Sequence, residues 1–166
     1  MLRILGLLIK LGDRLYVTVA TLFMIILVAA VSAGIIARYF FNSPFPWTEE
    51  LVVFLFIWIA FLGAAVASAR HKHVVVDVIT ARFSPSKRNL VGVITDVLTL
   101  VFVTMVIIGS VILIPQSTHT SVALDIPRSL YYTAVFASAV LIFLVYLESI
   151  ILKLRELSGK NKEITT

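Results

Sequence analysis

Residues 15–37, LYVTVATLFMIILVAAVSAGIIA, run for 23 positions without Asp, Glu, Lys, Arg or His. A hydrocarbon core of about 30 Å is crossed by roughly 20 apolar residues in helical form. A helix is also the one open segment that satisfies its own backbone in lipid. The stretch therefore predicts a transmembrane helix, and three more of its kind follow. Residues 51–69 give 19 uncharged positions, 97–118 give 22, and 129–147 give 19. The 166-residue chain is 60% hydrophobic, where a soluble domain has about 45–50%, and its mean hydropathy is +1.07. The expected fold is an all-α integral membrane protein with four transmembrane helices, at about 15–37, 49–69, 90–114 and 128–147. They would form a single membrane domain over residues 1–157, followed by a disordered polar tail at 158–166.

The first run also carries Val31-Ser32-Ala33, a passable signal-peptidase site. Signal-peptide apolar cores are only about 7–15 residues long, so the 23-residue run reads as a retained anchor.

Orientation follows from the basic residues. Arg3, Lys10 and Arg14 precede the first helix; Arg70, Lys72, Arg82, Lys87 and Arg88 fill the second loop; Lys153, Arg155, Lys160 and Lys162 follow the fourth helix. Only Arg38 and Arg128 fall on the other side. Lys and Arg concentrate in cytoplasmic loops, so both termini and the 70–89 loop are expected in the cytoplasm. The net charge of +5 is thus a topology signal. No nucleic acid is expected as a partner, because the basic residues are not interleaved with aromatics and no nucleic-acid-binding motif is present.

Two stretches are expected to lie in the membrane interface as short amphipathic helices. One is the lead-in at residues 1–14; the other lies in the 70–89 loop, where Val74, Val75, Val78 and Ile79 recur at helical spacing before Ser84-Pro85.

Ionisable groups inside a membrane usually mark ion paths or proton relays. No charge or histidine falls near the middle of the four apolar runs, and Asp96 is placed in the first two turns of the third helix, near the cytoplasmic surface. Small multidrug exporters need a mid-helix Glu, four-helix haem carriers need histidines within the spans, and disulfide-shuttling quinone reductases need cysteines. This chain has no cysteine, and its three histidines lie in loops. Neither transport nor redox chemistry by the chain alone is expected. His71-Lys72-His73 lacks an adjacent ligand cluster, and Lys72 repels a cation, so it reads as a solvated basic loop, not a metal site. His119 stands alone in a polar loop and has the same reading. No cofactor is expected in this chain.

Glu49 and Glu50 open the second helix. Thr48 is expected to cap it through its hydroxyl, and two carboxylates in the first turn suit the positive end of the helix dipole. Trp47 anchors that end at the headgroup level. This accounts for the position but not for the use of two charges, so a contact to a partner protein stays open beside it. Arg38 and Arg128 are candidate contacts for an external protein or for these glutamates. Gly63 and Ala67 lie in a small-residue stretch, 63–69, of the kind that lets helices approach closely in membranes.

Three motifs are similar to those of a known family. They are Pro46-Trp47-Thr48-Glu49-Glu50; Gly63 and Ala67 followed by His73 and Val76-Asp77; and Ala123-Leu124-Asp125-Ile126-Pro127 with Tyr132. In their order and spacing they resemble the small membrane subunit (DctQ type) of tripartite ATP-independent periplasmic (TRAP) transporters. The resemblance implies a non-catalytic scaffold beside a large multi-spanning membrane subunit, which carries the substrate and sodium and is a separate chain here. It also implies a periplasmic substrate-binding protein that delivers an organic acid such as a dicarboxylate or sialic acid, and a bacterial or archaeal cytoplasmic membrane. Arg38, Trp47, Glu49, Glu50, Gly63, Ala67, His73, Asp77 and Arg128 are the expected partner contacts. Two alternatives remain: a membrane enzyme or redox subunit using the His71/His73 loop, and a membrane adaptor unrelated to transport.

Overall fold

Each apolar run is helical in a computed structural model, which describes residues 2–42, 45–71 and 85–163. Helix α1 covers Leu2–Phe40, α2 Pro46–His71, α3 Pro85–Gln116 and α4 Ser129–Glu163. Within them, Ile4–Phe40, Pro46–Arg70, Val91–Gln116 and Ser129–Leu154 are long and apolar enough to cross a membrane. The chain is a multi-pass membrane protein.

The first correction concerns residues 1–14. They do not form a separate interfacial element: from Leu2 onward they are the first turns of the 39-residue α1, which at 1.5 Å per residue is about 58 Å long. This segment packs on α4. Ile9 is buried, the Gly12 position faces Leu141, and the Tyr16 hydroxyl donates to the Ala137 carbonyl at 2.7 Å. The apolar stripe read as lipid-facing is in part a tertiary contact. The second expected interfacial helix, with His73 and Asp77, falls outside the described residues. The last correction is at the carboxyl end, where α4 continues to Glu163, through most of the stretch expected as a disordered tail.

The four helices run up and down, so the end of α1, the start of α2 and the 117–128 loop share one end of the bundle, the turn end. The start of α1 and the end of α4 lie at the other end. Helix α4 is the centre. Ala134, Ser138, Leu141, Val145 and Ser149 recur at three- and four-residue spacing, and each is nearly or fully buried. Three of the five are small, which lets neighbouring backbones come close where packing drives association. Helix α4 touches all three other helices, α1 and α2 pack along each other, and α3 packs chiefly on α4.

Aromatic contacts tie three helices together. Phe23 of α1 meets the edge of Trp58 at 5.9 Å, Trp58 meets Phe54 at 6.2 Å, and Phe54 meets Tyr131 of α4 at 5.3 Å. Phe23–Trp58 and Phe54–Tyr131 are edge-to-face, and such pairs add about 0.5–1.5 kcal/mol beyond area burial. The outward faces stay apolar: Leu98, Phe102 and Met105 of α3 and Leu11, Leu15 and Leu22 of α1 are all exposed.

Candidate functional site at the turn end

Helix α2 begins at Pro46, whose fixed φ and missing N–H suit a first helical position. This corrects the assignment of Thr48 as the cap. Thr48 already lies inside the helix, with its N–H donating to the Phe45 carbonyl at 3.1 Å. Its side chain turns against α1: a Cβ added at Gly34 would sit 2.9 Å from the Thr48 methyl. The Thr48 hydroxyl is buried and has no hydrogen-bond partner. Trp47 is partly exposed, and its ring stacks on Phe45 at 5.8 Å.

The two glutamates separate. Glu49 lies in the first turn of α2, and its Oε1 pairs with Nη2 of Arg38 on α1 at 3.2 Å. One of the two possibilities raised for Arg38 is thus realised within the chain. Glu50, one residue on, points 100° further around the helix and reaches the 117–128 loop. Its carboxylate accepts backbone hydrogen bonds from Val122 at 2.9 Å, from Ala123 at 3.0 and 3.1 Å, and from Leu124 at 3.0 Å. Three successive N–H groups converging on one anion form a nest.

The loop is built to present those groups. Thr120 and Pro127 form an antiparallel bridge. Ser121 N–H donates to the Ile126 carbonyl at 2.9 Å, and Arg128 N–H donates to the His119 carbonyl at 3.0 Å. Ile126 N–H in turn donates to the Ser121 hydroxyl at 3.1 Å. Asp125 closes the turn at φ 52°, a left-handed conformation that Asp and Asn tolerate better than most residues. Val122 projects from the tip, 96% exposed.

Other expected contacts lie elsewhere. Arg128 is exposed beside the start of α4. Gly63 and Ala67 are exposed on α2, and nothing lies within 4 Å of a Cβ added at Gly63. Within the chain, this small-residue stretch leaves an open face. Among the described residues, no group of three or more His, Asp or Glu is placed to hold a metal ion.

Sequence reasoning missed two clusters at the terminal end. Asp96 is only 2% exposed; it receives hydrogen bonds from Ser149 and from Lys153, both at 2.7 Å. It is the twelfth residue of α3 because that helix starts at Pro85, which puts Asp96 beyond the expected first two turns. The available signal was Ser149 and Lys153, four apart and therefore on one face of α4. The second cluster is Arg70 at the end of α2, which grips Asp13 of α1 through Nε and Nη2, both at 3.1 Å.

A family model described as "Tripartite ATP-independent periplasmic transporters, DctQ component" matches residues 15–156. A Haemophilus influenzae protein named as a TRAP transporter small permease is 31% identical over 119 residues, covering 71% of this chain and 74% of that protein. The C4-dicarboxylate TRAP transporter small permease protein DctQ of Vibrio cholerae is 35% identical over 78 residues, 47% of this chain and 34% of its own length. The sialic acid TRAP transporter permease protein SiaT of Haemophilus influenzae is 38% identical over 71 residues, 43% of this chain but only 11% of that protein. The chain belongs to the DctQ family and is a small permease subunit of a tripartite ATP-independent periplasmic transporter complex.

Proposed function

We propose that this subunit is a non-catalytic scaffold for the large transport subunit of a sodium-driven secondary transporter for organic acids. It sits in a bacterial or archaeal cytoplasmic membrane with both termini cytoplasmic, so the turn end faces the periplasm. The supporting observation is how its polar groups are used. Glu50, Glu49, Asp96 and Asp13 are all engaged by groups of the same chain, which ties the helices and the 117–128 loop in place.

Relatives of several substrate names support the organic-acid reading. C4-dicarboxylate, sialic acid and isethionate appear in the names of three, and all are organic anions. The 71 residues matched in SiaT are only 11% of that protein, and the 89 matched in an isethionate permease protein named DctMQ from Oleidesulfovibrio alaskensis are 14% of its length, consistent with a much larger membrane partner. Sodium belongs to that partner in this reading. The open Gly63/Ala67 face suits close packing of a helix from the large subunit. Trp47, Arg128 and the Val122 tip suit contact with a periplasmic substrate-binding protein.

Reconstitution tests the division of labour. Sodium-dependent uptake of an organic acid into liposomes should need this chain, the large subunit and the binding protein together. Uptake by this chain alone would overturn the scaffold reading.

A further inference from the structure

A cleft at the turn end, about 360 Å³ in volume, lies between α1 and α2. That is within the range of about 300–1,000 Å³ common for small-ligand sites. Its walls are apolar, with Val31 and Ile35 one turn apart on α1 and Val52 opposite on α2. Its mouth is polar and carries both signs of charge, Arg38 and Glu49. These side chains are 61% and 79% exposed and meet through a single Nη2–Oε1 contact of 3.2 Å. A guanidinium has five N–H donors and a carboxylate about four acceptor sites, so both groups retain capacity for a ligand. Thr48 also lines the cleft; it is 6% exposed and its hydroxyl has no partner.

The depth of the mouth is set by its surroundings. Tyr39, Phe40 and Phe41 follow Arg38 and are 73–82% exposed, and Trp47 flanks Glu49. Such an aromatic collar marks the headgroup level of a membrane. An occupant must therefore offer an apolar chain to the walls and, at headgroup level, an anion to Arg38 and a hydrogen-bonding cation to Glu49.

We propose that the α1–α2 cleft bearing Arg38 and Glu49 is a binding site for an ethanolamine-type phospholipid. The phosphate lies on the Arg38 guanidinium, the primary ammonium donates to Glu49, and one acyl chain runs along Val31, Ile35 and Val52. Geometry and charge together favour this headgroup class. A choline headgroup has no N–H to donate, and a glycerol headgroup brings only negative charge beside Glu49.

The test uses the full-length chain, with native mass spectrometry in detergent after titration with phosphatidylethanolamine, phosphatidylcholine or phosphatidylglycerol of matched acyl chains. Wild type should retain one phosphatidylethanolamine at least about tenfold better than either other lipid. Arg38→Gln should remove the retention, Glu49→Gln should remove the preference for ethanolamine over choline, and Val31→Phe should block all three lipids with both charges intact. Circular dichroism should show each variant as helical as wild type. Equal retention of the three lipids by wild type, or retention unchanged in both Arg38→Gln and Val31→Phe, overturns the proposal. A photocrosslinking residue at Ile35, in membranes that also contain the large subunit, should label lipid; an adduct to the large subunit in its place overturns the proposal as well.

Discussion

Glu50 and Ala123, 73 positions apart, are joined by both carboxylate oxygens, which accept the Ala123 N–H at 3.1 and 3.0 Å. Glu49, its neighbour, turns to Arg38. Two adjacent carboxylates thus do different things: one fixes a loop, and the other stands at an open cleft.

Replacing Glu50 by Gln halves the acceptor capacity facing Val122, Ala123 and Leu124. The loop should then open locally while the helices persist. Hydrogen exchange at residues 122–124 is expected to speed up by about tenfold or more in Glu50→Gln and to stay near wild type in Glu49→Gln. Uptake by the reconstituted transporter should fall in the first variant, with membrane insertion unchanged in both. Equal exchange in the two variants would show that the nest does not hold the loop.

The buried pair of Asp96 and Lys153 predicts an asymmetry. Removing one partner of such a pair costs about 3–5 kcal/mol when the other charge stays buried. Lys153 lies one residue from the end of its span and has a long stem that can carry the ammonium to water. Asp96 has a short side chain and no such escape. Lys153→Met should therefore destabilise the chain more than Asp96→Asn, with the double variant recovering part of the loss. Unfolding by denaturant in detergent measures the order.

Glycine substitutions separate internal from external surfaces. Gly34→Ala drives a Cβ to within 2.9 Å of the Thr48 methyl and 3.6 Å of its Cβ, so a branched side chain must move as a unit. A cost of about 1–3 kcal/mol is expected. At Gly12 the close atom is the Leu141 Cδ1 tip, which can rotate, so Gly12→Ala should cost less. Gly63→Ala meets nothing within 4 Å and should leave the isolated chain within about 0.5 kcal/mol of wild type. If the large subunit covers that face, Gly63→Leu should reduce co-purification with it several-fold at unchanged stability.

Tyr16→Phe removes a hydrogen bond between the first turns of α1 and the middle of α4, Tyr16 to the Ala137 carbonyl. Since that carbonyl belongs to a helix and keeps its own backbone partner, the loss should be small, about 0.5–1.5 kcal/mol. Thermal unfolding should register it, and transport should not change.

Much of the architecture was legible in the sequence. Uninterrupted apolar runs of 19–23 residues dictate helices, because lipid offers the backbone no other partner. The motifs around Pro46–Glu50 and Ala123–Pro127 marked the turn end, and the basic residues an orientation. The reading of α2 as the close-packing helix was less complete. Composition singled out its small residues at 63–69, where Ala65 is fully buried while Gly63 and Ala67 are exposed, yet Ala134, Ser138, Ala139 and Ser149 of α4 are buried as well. Small residues permit close approach on any face, and only the arrangement of all four helices selects which face is used.

By itself, then, the sequence determined the number of spans, their approximate limits and the family, because hydropathy and short motifs are local properties. The tertiary structure decided what each charge does. Glu49 and Glu50 are adjacent in the chain, but 100° per residue on a helix sends one to α1 and the other to a loop more than 70 positions away. Asp96 and Lys153 count as a near-surface acid and a topology marker until α3 and α4 are packed side by side. Helix phase and inter-helix register create those pairings, and neither is encoded in the spacing of a single segment.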